Sequence, residues 1–580
     1  MADYFNTGMR LYLDHLIDWK GLLEIKNGGT PDVDAEVGAY RTILETAAAL
    51  AASFESEARK NWATEAELTP DGGAQSPPHI RQAYDQLREA GLVSMTVGEQ
   101  YGGFALPAIL NGIFLEMISR ADTSLMMVVG LQTGAASDIE RYASDEVKDA
   151  FLPRFTSGEV QGCMDLTEPQ AGSDLGGIVT RATDLPDGRV QIDGQKIYIS
   201  NGGAEVHLVL ARDDDKFEGS RGTTQGLSLV LVPRHLEDGS LNGVKVSRLE
   251  TKMGIHGSAT CEVVFEGSIG HRLGTAGEGF RAMLDLMNSA RLGVSSQALG
   301  ISEAALHDAV TYAHERKQFG KAIAEQPMVM AMLAKMVVGN EAVRALLYRT
   351  YRLLDLNLAR EAVLASGNLG DAEASATRAD LERDTARVRL LTPLCKYFAT
   401  ETCDNITRDA MQVFGGIGYT MDADVAKLHA DSLILTVYEG TSEIQASFAL
   451  REIGKGGLAV VFKEIRSELA AMADDPLRAG LAKRVEGMAE RVEESIGVMF
   501  SDISYALLRA KLLTEMVIDV IASCELLQQV VADPDRLDIA ESFIASHAIK
   551  ADYLSRRIAE NADGLLERDA RLIASITNQA

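Results

Sequence analysis

The pattern of apolar and polar positions changes character along the chain. Residues 1–36 form an amphipathic lead that breaks at the turn-rich NGGTPD. From 37 to 160 apolar residues recur at three- and four-residue spacing, as in AEVGAYRTILETAAALAASFESEARK, which predicts helices. Between 161 and 275 the apolar runs shorten and fill with β-branched residues: RVQIDGQKIYIS, EVHLVLAR, GLSLVLVPR and ATCEVVFEG. Turn signals such as LPDGR and EDGS separate them, which predicts an antiparallel β sheet or barrel. Helical periodicity returns from 276 to 455. The small, acidic stretch ASGNLGDAEASATRAD at 365–380 is expected to interrupt it as a loop, and REIGKGG at 451–457 to act as a hinge. From 456 to 580 the pattern is helical again. There Leu513, Val517, Val520, Cys524, Leu527 and Val531 make one apolar stripe, which reads as a packing seam. The expected fold is mostly α with a central β domain. Its parts are an N-terminal extension (1–36), a helical domain (37–160), a middle β domain (161–275), a helical bundle (276–455) and a C-terminal helical extension (456–580).

Composition narrows the classes. At 580 residues, 46% hydrophobic and 24% charged, the chain can build several large cores. Its formal charge of −28 argues against a nucleic-acid backbone as the main partner. Cys163, Cys261, Cys395, Cys403 and Cys524 are scattered and odd in number, so neither a zinc site nor a disulfide framework is expected. The start has no basic segment leading into an unbroken apolar core, and a cytoplasmic location is expected.

Five short stretches carry candidate chemistry. MDLTEPQAGSDLGG (164–177) offers a hydroxyl, a tight turn and small residues that let backbone N–H groups approach a ligand. KIYISNGG (196–203) places an aromatic two residues before a hydroxyl, an arrangement that can flank a flat ring. ERKQFGKAIAEQP (315–327) holds Arg316, whose guanidinium suits a phosphate. MQVFGGIGYT (411–420) has a Gly-Gly turn that permits close backbone approach. The mostly apolar run DSLILTVY leads into Glu439 and TVYEGTSEIQ, where Thr441 or Ser442 can cap a helix with Glu443 in its first turn. Taken singly, each also fits an ordinary loop, strand end or helix end.

Together, in this order and at these intervals across an α–β–α layout, LTEPQAGSD, YISNG, RKQFGK, QVFGGIGY and YEGTSEIQ resemble the acyl-CoA dehydrogenase flavoenzyme family. The resemblance covers residues 37–450. The lead and the C-terminal block are similar to those of the longer members, which include enzymes for 3-methylmercaptopropionyl-CoA and broad-range bacterial fatty acyl-CoA dehydrogenases. The resemblance implies FAD, with Met164, Leu166 and Thr167 lining its isoalloxazine ring and Gly172 and Ser173 near FAD and the CoA phosphates. It places Tyr198, where Trp is usual, and Ser200 beside the flavin. Arg316, Gln318, Phe319 and Gln326 match the segment that reaches the FAD of a neighbouring subunit. Gln412, Val413, Gly415 and Gly416 match its second half, so a complete site implies a homodimer or a dimer of dimers. Thr441 and Glu443 match adenine-side contacts, with Glu443 standing where many members have Gln. Asn288 and Arg291 match the helix that meets CoA, and Gly440 adjoins the substrate.

The resemblance makes Glu439 the catalytic base. The reaction removes a proton from Cα and a hydride from Cβ of an acyl-CoA thioester. A carboxylate at its ordinary pKa of ~4.3 is a feeble base toward carbon, and apolar surroundings would raise it. The Glu439 N–H would help hold the thioester carbonyl as negative charge develops there. Some relatives carry the base just before the Arg of RLG; that position is Ala290, which accepts no proton. The leading expectation is a dehydrogenase that passes electrons to an electron-transfer flavoprotein. A short, medium or methylthio-substituted acyl chain is favoured. The alternatives are an acyl-CoA oxidase using dioxygen, a non-catalytic flavin-binding DNA-associated relative, and a membrane-associated long-chain enzyme.

Overall fold

The computed structural model describes residues 3–500, 502–560 and 564–577. The chain forms two compact units. One comprises Tyr40–Asp308, Phe414–Leu435 and the stretch before Asn6. The other comprises Asn6–Ala39, Ala309–Val413 and the chain from Thr436 onward.

The first unit carries helices Pro78–Glu89, Ala108–Ala121, Thr123–Tyr142 and Asp145–Thr156, and side chains cap the last two. Proline opens the first, where its missing N–H is harmless. The Asp122 carboxylate takes the Ser124 and Leu125 N–H groups at the start of the third, and Ser144 caps the fourth. Seven strands follow: β1 (Gly162–Asp165), β2 (Arg181–Asp184), β3 (Val190–Ser200), β4 (Val206–Asp213), β5 (Leu227–Pro233), β6 (Val244–Leu249) and β7 (Thr260–Leu273).

The ring β4–β2–β3–β7–β5 closes on itself, because β5 pairs back with β4; β1 joins at β4 and β6 at β7. Most pairings are antiparallel as expected, but β1 and β2 lie end to end along one edge of β4 and run parallel to it. The strand β4 is buried at every position. Alternation explains this. Val206, Leu208 and Leu210 pack with Ala135, Ile139, Leu152 and Phe155 of the helices, while Val209 and Ala211 join Val190, Val230, Val263 and Phe265 in a second core.

In the second unit the long helices Pro327–Ser366 and Asp371–Phe414 pack with the C-terminal helices Ile503–Ala532 and Leu537–Ala559. The loop expected at 365–380 is confined to 367–370. Gly367 ends one helix at φ 69°, and the next begins at Asp371 with Asp371 and Glu373 in its first turn. Carboxylates favour that end of a helix, and the alanines that follow propagate it. In the expected stripe, residues 513–527 are fully buried, but Val531 is 57% exposed because the helix ends one residue later. At the expected hinge, helix Ser442–Gly454 yields to helix Gly457–Ala470 through Gly456 at φ 90°. The N-terminal lead is tied in by Tyr12, whose hydroxyl donates to Glu525 Oε1 at 3.0 Å. Among the described residues no helix is long and apolar enough to cross a membrane.

One buried carboxyl in the first unit sets a pH response. Asp431 is 5% exposed and accepts from Trp62 Nε1 at 3.0 Å and from the Ile255 N–H at 2.6 Å. Burial pushes it up to about 7 and the Asp122 charge adds to this; the two donors only partly offset them. A carboxyl raised in the folded state stabilises fully below its unfolded value of ~3.9 and loses that contribution as pH rises through 7. Asp431→Asn, which keeps the acceptor without the charge, is expected to gain melting temperature relative to wild type as pH rises from 5 to 8.5. Thermal melts across that range check it, and a pH-independent difference would count against it.

Candidate active site

The first unit presents several of the predicted site residues on a loop gripped from beneath. Leu166 to Thr180 leaves β1 and would wander without anchors, since it carries three glycines and a proline. Two buried cations fix it. Lys196, fully buried on β3, donates to the Leu166 carbonyl at 2.9 Å, to Glu168 Oε1 at 2.8 Å and to the Leu210 carbonyl at 2.7 Å. Glu168 in turn accepts the N–H groups of Val179 and Thr180. Burial would raise its carboxyl, but the Lys196 ammonium and these donors hold it below the usual carboxylate range. Arg212, fully buried on β4, donates to the carbonyls of Gly176, Ile178, Ser220, Thr223 and Gln225 and to the Ser220 hydroxyl.

The grip leaves one face of the loop open. Met164, Leu166 and Thr167 are half-buried, while Gly172 and Ser173 are exposed. The Thr167 carbonyl accepts the Ile197 N–H at 2.9 Å, which ties the loop to β3. Between Lys196 and Ile199 the register of β3 slips against β7, and Tyr198 takes φ 59°. A bulge of this kind re-aims a side chain. It leaves the Tyr198 ring 61% exposed, two residues before the half-buried Ser200. Asn288 is half-buried and accepts from Arg291 Nη1 at 3.0 Å; Arg291 itself is 3% exposed. Gly415, at φ 67°, and Gly416 are exposed, and a Cβ at either would meet nothing within 4 Å.

The second unit holds the remaining predicted residues. Helix Gly279–Glu315 ends just before Arg316, and a two-residue hairpin follows, with Phe319 at φ 53° and Gly320 at φ 81° as its turn. Arg316 and Gln318 are exposed, and Phe319 is 94% exposed at the tip. Gln326 precedes helix Pro327–Ser366, and its Nε2 is buried with no hydrogen-bond partner. Gln412 is exposed near the end of helix Asp371–Phe414, whereas the Val413 side chain is buried there.

Glu439 is half-buried and stands at φ 55°, followed by Gly440 at φ 93°. A non-glycine residue in that region costs roughly 1–3 kcal/mol and persists only where its surroundings enforce it. Gln445 Nε2 donates to the Glu439 carbonyl at 2.7 Å, and Lys396 Nζ donates to the Gly440 carbonyl at 2.7 Å. Of the two caps expected, Thr441 is the one used, its hydroxyl accepting the Ile444 N–H at 3.4 Å. Glu443 pairs with Lys511 at 3.1 Å, which holds its carboxyl below the usual range. Tyr438 is pushed well above its ordinary value by burial and by the adjacent Glu439 charge.

Comparison with known proteins now decides the family. Models of the acyl-CoA dehydrogenase N-terminal, middle and C-terminal domains match residues 44–159, 163–268 and 277–454. The chain belongs to the acyl-CoA dehydrogenase family. Members are FAD-dependent oxidoreductases that act on the CH–CH bond of acyl-CoA. The 3-methylmercaptopropionyl-CoA dehydrogenase of Ruegeria pomeroyi is 32% identical over 77% of this chain and 76% of its own length. The butyryl-CoA dehydrogenase structure from Megasphaera elsdenii superposes with a TM-score of 0.59 at 27% identity, covering 71% of this chain and 96% of that one. A Bacillus anthracis acyl-CoA dehydrogenase complexed with FAD matches the fold with a TM-score of 0.71 at 21% identity, covering 90% of this chain and 88% of that one.

The residues present suit the family's flavin dinucleotide. Within the first unit, an exposed aromatic face at Tyr198, hydroxyls at Thr167 and Ser200, and open backbone at Gly172, Gly415 and Gly416 are groups such a ligand can use; in the second unit, by itself, the exposed Arg316 guanidinium suits a phosphate. The anchors Lys196, Arg212, Lys396 and Gln445 were not among the expected site residues. A signal for one of them was in the sequence: Lys396 is a lone cation inside the apolar run LLTPLCKYFA, and such charges are buried only when paired. Arg212→Met removes the donor that the buried Ile178 carbonyl takes from the barrel and one of the donors to the Gly176 and Ser220 carbonyls, and should cost at least ~1–3 kcal/mol, the penalty for one buried acceptor left unsatisfied. Denaturant unfolding and bound-FAD content test this; near-wild-type values for both would show the grip to be dispensable.

Proposed function

We propose that this enzyme removes the α-proton and β-hydride of an acyl-CoA, with Glu439 as the base. The observation that carries the reading is the strained, enforced backbone at Glu439. Conformations of that cost concentrate where function requires them. The α-proton passes to the Glu439 carboxylate, the Cα–Cβ double bond forms, and the β-hydride leaves the substrate. Bound FAD supplies the hydride acceptor. The Glu439 N–H donates to the thioester carbonyl and stabilises its developing charge. Thr167, Tyr198 and Ser200 orient the flavin. Arg316, Gln318 and the exposed Phe319, with Met328 and Met330 exposed nearby in sequence, form a surface suited to a second copy of the chain. We assign Arg316 to the FAD of that copy, which makes the working form at least a homodimer. An electron-transfer flavoprotein is the proposed electron acceptor.

The acyl chain is proposed to be short, medium or methylthio-substituted, on the likeness to the Ruegeria pomeroyi and Megasphaera elsdenii proteins. Initial rates with butyryl-, octanoyl-, palmitoyl- and methylthiopropionyl-CoA rank the candidates, and a strong preference for palmitoyl-CoA overturns the assignment. Glu439→Gln keeps shape and polarity but has no basic lone pair. It is expected to bind FAD and acyl-CoA and to lose at least ~10²–10⁴ in the rate of flavin bleaching. Anaerobic stopped-flow absorbance reads this directly; bleaching at the wild-type rate would move the base elsewhere.

A further inference from the structure

Glu439, the proposed base, and Gly440 after it sit in a backbone conformation that glycine adopts freely and glutamate does not. Two buried side chains hold them there. Gln445, 0% exposed, donates to the Glu439 carbonyl at 2.7 Å and more weakly to that of Gly440 at 3.3 Å. Lys396, also 0% exposed, donates to the Gly440 carbonyl at 2.7 Å. These bonds fix both peptide planes that follow the Glu439 Cα, and with them the direction of its Cα–Cβ bond. Space is closed as well: a Cβ at Gly440 would lie 2.8 Å from Gln445 Nε2.

Lys396 is a costly way to fill a core. It stands in helix Asp371–Phe414 among the buried Leu390, Leu391, Leu394 and Cys395, where an apolar side chain would pack without desolvating a charge. The same helix contributes a further tie five residues on, where the Ser442 hydroxyl donates to Glu401. A buried ammonium on the carbonyl next to the base is explained by what it orients rather than by what it packs.

We propose that Lys396 is a positioning residue for catalysis, acting with Gln445 to lock the Glu439–Gly440 segment so that the carboxylate meets the substrate α-carbon. This rests on Glu439 being the base. The test uses the FAD-loaded enzyme and the variants Lys396→Met, Lys396→Arg and Gln445→Leu. It reads FAD content, acyl-CoA affinity, the anaerobic rate of flavin reduction, and the isotope effect with α-deuterated acyl-CoA. Lys396→Met and Gln445→Leu are expected to keep FAD and acyl-CoA affinity within about twofold while reduction slows on the order of 10²-fold, as misplaced reacting groups do. The α-deuterium isotope effect should rise, because proton removal becomes the harder step. Lys396→Arg, which retains a donor, should recover part of the rate. If Lys396→Met does not fold, Gln445→Leu carries the same comparison. The proposal is overturned if the folded variants reduce flavin within threefold of wild type, or if the lost rate follows lost FAD with no change in isotope effect. An inactive Glu439→Gln beside a fast Lys396→Met sinks this inference alone. An active Glu439→Gln sinks the assignment of the base.

Discussion

The first unit depends on the Lys196 ammonium sealed inside its β barrel. A buried charge is tolerated only when it is paired and hydrogen-bonded, and Lys196 meets that demand with Glu168 and two backbone carbonyls. The pairing organises the loop between Leu166 and Thr180. Glu168, neutralised by Lys196, can take the N–H groups of Val179 and Thr180 and so close the loop on itself. Arg212 completes the work from β4 by collecting carbonyls of the same loop and of the segment 220–225. A glycine-rich segment that could sample many conformations is thereby held in one. A segment fixed in this way loses little conformational entropy on binding a partner.

The second unit solves a related problem with the same chemistry. Here the element to be held is a strained glutamate rather than a flexible loop. Lys396 and Gln445 again reach from secondary structure to backbone carbonyls, and again do so from complete burial. Each unit therefore spends buried polar groups on positioning irregular backbone, while its apolar cores account for the regular elements around it. Chemistry at carbon by a carboxylate needs accurate placement more than it needs many contacts. Strain at Glu439 and the bulge at Tyr198 are local costs that the surrounding packing sustains.

The Glu443–Lys511 pair shows how the C-terminal extension enters this picture. Lys511 lies on helix Ile503–Ala532, beyond the 277–454 segment that the C-terminal family model matches. The pair is largely exposed and so worth little to stability. It offsets the charge of an acid in the first turn of helix Ser442–Gly454.

What the sequence determined by itself follows from local pattern. Period-three-and-four runs made helices, short β-branched runs made strands, and five ordered motifs made the family and singled out Glu439. These signals are legible because each is contained within a few consecutive residues. The tertiary structure decided the rest. It closed the barrel with two parallel pairings, which no strand announces on its own. It turned part of an expected loop into the first turns of helix Asp371–Phe414, where Gly367 and Asp371 outweighed a composition that reads as a loop. It chose Thr441 over Ser442 as the cap and turned the Ser442 hydroxyl to Glu401. It also made Lys196, Arg212 and Lys396 interior anchors rather than surface charges. Each of these outcomes depends on partners far away in sequence, and a buried charge or a strained dihedral is stable only when the folded chain brings those partners to it.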